Sequence, residues 1–158
     1  MNTMDKLNAL YELAAENEIE IVCKSFSGTK KAACLHLKPN KYVILDKPAM
    51  SSMSEEGAVL SEEIGHYETG GLYVIESTYN SPISRSNRIK YEASARHWAY
   101  RQMLPPHEIE EAYMLEGLHD DFAMAEFCQV TIEFFRKAIE YHRSCGIVFS
   151  FDNVEDCT

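Results

Sequence analysis

Glu62, Glu63 and His66 follow one another in the order Glu-Glu-x-x-His. On a helix, residues four apart lie on one face, so Glu62 and His66 would point the same way with Glu63 projecting next to them. Ligands at i and i+4 reach one cation from adjacent turns. A carboxylate at i+1 can then accept a proton from water that the cation activates. A site of this kind needs a third ligand from elsewhere in the chain. Glu92 is the candidate, because on its own helix it shares a face with Ala95 and Ala99, whose small side chains permit close approach of a second helix. The set would be two carboxylates and one imidazole, with a position left for water or a substrate carbonyl.

The spacing is that of the His-Glu-x-x-His zinc helix except at the first ligand, where Glu62 stands in place of histidine. Each piece also has a plain reading. Glu62 and His66 can be an exposed i to i+4 pair, and Glu92 with Arg96 has the favoured polarity of a surface helix salt bridge. Taken alone, so short a pattern is more simply a solvated helix face.

The elements that would carry these residues are legible in outline. Met4, Leu7, Tyr11 and Ala14 recur at helical spacing after Thr3, which predicts a first helix to about residue 17. Ile19, Ile21 and Cys23 alternate as in a strand. A second strand is expected over residues 33–37 and a third over 42–45, with Lys38-Pro39-Asn40-Lys41 as the turn between them. Ser52 and Glu55 have the spacing of a capping box that opens the Glu62 helix, with Met53, Gly57, Leu60 and Ile64 as its core stripe and a stop near Gly70. Residues 77–86, rich in Ser and Asn and containing Pro82, read as a loop, and the Glu92 helix as 87–103. Three further helices are expected from Pro106 to near Gly117, over about 121–128, and over about 132–145 behind the cap Thr131. The fold class is α+β: a small antiparallel or mixed three-stranded sheet packed with several helices, one of them a zincin-like metal-binding helix. A single domain is expected, with a core over 1–105, packed helices over 106–146 and a tail over 147–158.

With 158 residues, 46% of them hydrophobic and 25% charged, the chain can bury one core without disulfides. No uncharged apolar run approaches the roughly 20 residues that span a bilayer, and the N-terminus reads as an amphipathic helix, not an export signal. Five scattered cysteines without a Cys-x-x-Cys pair argue against a disulfide framework or thiolate zinc knot and favour a reducing cytoplasm. A net charge of −10 disfavours a broad phosphate-binding surface and favours encounter with a basic partner. The helices over about 121–145 carry Arg136, Lys137 and Arg143, but Asp120, Asp121, Glu126, Glu133 and Glu140 counter them. Packing helices are therefore expected ahead of a DNA-binding motif.

The stretch Leu60-Ser61-Glu62-Glu63-Ile64-Gly65-His66-Tyr67-Glu68-Thr69-Gly70, followed by Glu92-Ala93-Ser94-Ala95-Arg96-His97-Trp98-Ala99, resembles the ImmA/IrrE family of metallo-endopeptidases. In that family a metal-binding helix precedes one of the type E-x-x-A-x-x-W-A, and the likeness covers about nine-tenths of the chain. The resemblance implies His66 and Glu92 as metal ligands, Glu63 as general base and Glu62 in the place of the first histidine. It also implies Zn2+ as cofactor, and limited proteolysis of a helix-turn-helix repressor of a mobile element or prophage. A second carboxylate is a harder ligand than imidazole and admits another divalent metal. The Glu62 departure also leaves a non-catalytic antirepressor as an alternative. Neither direct nucleic-acid nor membrane contact is expected.

Overall fold

The computed structural model describes residues 3–70, 82–114 and 117–153. Helix α1, Thr3–Glu16, leads into strand β1, Ile19–Cys23, and then into the hairpin of β2, Ala32–Leu37, and β3, Asn40–Leu45. The sheet order is β1-β3-β2, with β3 parallel to β1 and antiparallel to β2. The class is therefore α+β with a mixed sheet. Leu37 pairs with Asn40, so Lys38 and Pro39 alone make the turn, tighter than the four residues expected.

Side chains alternate across the strands, and Val43 and Leu45 of the central strand are fully buried. In α1 the buried stripe is Leu7, Leu10 and Ala14; Met4, expected on it, is exposed, and Tyr11 is half-buried at its edge. The buried Lys6 amine donates to the carbonyls of Met103 and Cys128, each at 2.9 Å, and to the Glu108 carboxylate. A buried ammonium has three protons to satisfy, and these three acceptors match them.

Helix α2 spans Met53–Glu68 and α3 spans Pro82–Met103. Residues 82–86 are thus helical, contrary to the loop expected there. Proline lacks an N–H, but the first residue of a helix has no intrahelical acceptor for one, so Pro82 opens α3 instead of breaking it. The rest of the expected loop lies outside the described residues. Helices α4, Pro106–Met114, α5, Asp121–Phe127, and α6, Ile132–Ser144, follow. Asp120 caps α5 and Thr131 caps α6 through their side-chain oxygens. Helix α6 buries Phe134, Phe135, Ala138, Ile139 and His142, while Arg136 pairs with Asp121, Lys137 with Glu133 and Arg143 with Asp152. None of the described helices is long and apolar enough to cross a membrane.

The expected tail from residue 147 is corrected in part. Gly146, at φ +87, turns the chain back after α6, and a short 3-10 turn spans Ser150–Asn153. Phe149 is fully buried in the same hydrophobic cluster as Leu60, Ile64, Leu104 and Phe135. Its ring stacks on Phe151 at 5.1 Å and meets His142 edge-on at 6.5 Å. Truncating a buried phenylalanine costs about 3–5 kcal/mol. Phe149→Ala should therefore lose a comparable amount in urea unfolding, whereas a loose tail would lose nothing measurable.

Candidate metal centre

Helix α2 is fixed at both ends by local chemistry. The Ser52 hydroxyl accepts from the Glu55 amide at 3.1 Å, the first half of the expected capping box. The Glu55 carboxylate reaches one residue further back, accepting from the Ser51 amide and hydroxyl at 2.7 Å each. At the other end the Thr69 amide and hydroxyl close on the Gly65 carbonyl at 3.0 and 2.7 Å, and Gly70 takes φ +72. Gly57, Leu60 and Ile64 face the core as expected, while Met53 at the helix start is exposed.

The decisive contact lies between α2 and α3. A Cβ on Gly65 would stand 2.6 Å from the Ala95 carbonyl oxygen and 3.1 Å from the Ala95 Cα, so the backbones touch where glycine meets alanine. Ala95 and Ala99 are buried, which fits the small-residue face read from the sequence. Glu62 and His66 flank the crossing on one helix, and Glu92 and Arg96 flank it on the other. Glu62, His66 and Glu92 each offer a ligand atom within 4.8 Å of the others, the single such group among the described residues.

His66 Nε2 lies 3.6 Å from Glu92 Oε2, and Arg96 Nη1 lies 3.8 Å from Glu62 Oε1. The pairing runs between the helices and not within each, as the plain reading of the spacing would have it: Arg96 reaches across to Glu62, and Glu92 to His66. The His66 ring is buried, whereas Glu62 and Glu92 are partly open to solvent, so the site has a dry floor and an accessible mouth. Around a tetrahedral ion bound at about 2.0–2.2 Å, donors stand roughly 3.4 Å apart. The His66–Glu92 edge is close to that value, and small side-chain rotations would draw in Glu62. The donor set fits a divalent cation. The buried His66 Nδ1 has no hydrogen-bond partner among the described residues. A ligating imidazole is ordinarily oriented through its second nitrogen.

Burial pushes the Glu62 carboxyl up to about 7; neighbouring Glu63 and Glu92 add to this and Arg96 opposes it. Burial also raises Glu63, against the Cys34 hydrogen bond and the nearby His66. Two crowded carboxyls with raised proton affinity are groups that a cation relieves. Glu63 lies beside the ligand group, but its Oε2 is 2.8 Å from Cys34 Sγ on strand β2. Cys34, Arg96 and Gly65 were not read from the sequence as site residues. Of the three, only Gly65 left a local signal, a glycine inside a helix beside a histidine.

One tyrosine and two other histidines near these helices serve the packing of the fold. The Tyr67 hydroxyl sits between two strands, accepting from the Tyr42 amide at 3.0 Å and lying 2.9 and 2.8 Å from the Leu35 and Tyr42 carbonyls. Burial chiefly pushes this phenol up to about 12. It is thus committed to the sheet and not to a reacting group. His97 stacks on Tyr141 at 4.4 Å, and His142 Nε2 is 2.8 Å from the Leu104 carbonyl. No family model matches the chain, and neither a curated relative nor a solved structure of similar fold is found.

Two outcomes follow. Gly65→Ala drives a methyl into backbone and should cost about 1–3 kcal/mol. By parting the helices it should also weaken Zn2+ binding more than an equally destabilising core change such as Leu60→Val; calorimetry on both variants compares them. In the metal-free protein Glu62 gains its proton as pH falls through about 7, and the ion must displace it. Zn2+ affinity should then fall with decreasing pH below that value, by roughly tenfold per unit for one competing proton. Glu62→Gln should remove part of that slope.

Proposed function

We propose that this chain is a metal-dependent endopeptidase of the ImmA/IrrE kind, acting on a helix-turn-helix repressor. The observation that carries the proposal is the convergence of Glu62, His66 and Glu92 at the Gly65–Ala95 crossing, with Glu63 adjacent. Those three residues would hold the ion, Zn2+ or another divalent metal. When bound, such an ion supplies Lewis acidity for a peptide carbonyl and for water. Glu63 would take the water proton and pass it to the departing amine nitrogen, and its raised proton affinity suits a group that must hold and then release a proton. The buried wall behind His66 limits water on the inner side. The net charge of −10 would assist encounter with a basic DNA-binding protein.

One observation favours a second reading, a non-catalytic antirepressor. Glu62 faces Arg96 at 3.8 Å and His66 faces Glu92 at 3.6 Å, so these four side chains have partners across the helix crossing without any ion. Stoichiometric relief of repression without fragments would support that reading, and fragments in excess of protein would support catalysis.

One divalent ion should bind per chain in calorimetry, and the Glu62→Ala, His66→Ala double variant should lose it. Indistinguishable Zn2+ uptake by wild type and the double variant would remove the assigned site. Glu63→Gln keeps side-chain size but cannot take a proton; it should retain metal and lose about 10²-fold or more in turnover. Glu92→Gln should lose both, because an amide oxygen is the poorer ligand. Metal content, peptide cleavage and circular dichroism on the two variants separate base from ligand. Full turnover by metal-loaded Glu63→Gln would sink the general-base role.

A further inference from the structure

We infer that Cys34 is a positioning residue for Glu63, its thiol holding one carboxylate oxygen of the proposed base from the edge strand of the sheet. The inference rests on the reading of Glu63 as that base and adds β2 to the two helices as a part of the same site. Cys34 Sγ lies 2.8 Å from Glu63 Oε2 and 3.0 Å from the Glu63 carbonyl oxygen. A thiol has one proton to give, and a carboxylate is the stronger of the two acceptors. The thiol therefore engages one oxygen and leaves the lone pairs of the other for a proton from water.

Two features make this more than a packing contact. Burial, together with the negative charge of Glu63 and Glu92, pushes the Cys34 thiol upward, with Lys30 opposing, so the sulfur remains S–H and remains a donor. It is consequently a poor nucleophile, which argues against a reactive or redox role for it. The strand that carries it is also anchored to the same helix. One turn beyond Glu63, the Tyr67 hydroxyl binds the backbone of β2 and β3, and the His36 ring on β2 meets the Tyr67 ring edge-on at 6.3 Å. Cys34 is thereby presented at a fixed height along α2, and Glu63 is held where its backbone and its carboxylate meet one sulfur. A glutamate has three rotatable bonds, and a base displaced by about an ångström can lose up to 10²-fold in rate.

The test uses the full chain loaded with Zn2+, as wild type, Cys34→Ala and Cys34→Ser. The probe is a peptide library from a digested proteome read by mass spectrometry, followed by kinetics on the synthesised peptide that wild type cuts fastest. Cys34→Ala should lower kcat roughly tenfold with KM, metal content and thermal midpoint little changed, and Cys34→Ser, which keeps a donor, should recover to within about threefold of wild type. Equal turnover by all three proteins would overturn the inference. So would equal loss in both variants, which marks a packing role. In either case cutting by wild type keeps the peptidase reading intact. If metal-loaded wild type cuts no library peptide, the peptidase reading fails and the positioning role falls with it.

Discussion

At Gly65 the backbone of α2 comes so near the Ala95 carbonyl that there is no room for a side chain. Helices with ordinary side chains at the contact pack with axes about 8–10 Å apart, and small residues set the near end of that range. Short carboxylate and imidazole arms bridge this distance and would not bridge a wider one. The His66–Glu92 and Glu62–Arg96 contacts both depend on the crossing, and so does the grouping of three ligand atoms. The hydrophobic residues around it serve the same end: Leu60 and Ile64 seat α2 in the core, and Ala99 continues the small face of α3.

Electrostatics work against the crossing as much as for it. Glu62, Glu63 and Glu92 crowd negative charge beside a buried histidine. The fold compensates with Arg96 across the helix pair, with a thiol proton from β2 and with partial solvent access at the mouth. Each compensation is loose or neutral, so the site keeps an affinity for added positive charge. Arg96 at 3.8 Å offers a pairing weak enough to rearrange.

The parts of this arrangement that could be read from the chain were those governed by neighbours in sequence. Ser52 and Glu55 announce the start of α2, Thr131 the start of α6, and the Glu62 to His66 interval the shared helical face. Glu92 is legible at longer range because alanines three and seven residues on mark a face that tolerates close approach. Local rules misled where tertiary contacts prevailed. The spacing of Glu92 and Arg96 allows a pair within one helix, yet Arg96 reaches Glu62 on the other, and Pro82, in a stretch that reads as a loop, begins a helix. Cys34 and Glu63 are separated by 29 residues, and nothing in the strand pattern shows which cysteine faces which helix. Phe149 lies in the short apolar run Ile147-Val148-Phe149-Ser150-Phe151, in which Ile147 and Val148 are exposed, so composition alone does not show which member enters the core.

The Lys6 amine bears on how the chain acquires its shape during synthesis. Its three acceptors lie 97, 102 and 122 residues further along, so they are synthesised well after it. Until Cys128 is available, seating α1 in its final place would strand a cation in an apolar setting with some of its protons unmatched. Helix α1 packs against β1 and α2, which follow it closely in the chain, but its final seating waits for residues synthesised long after it.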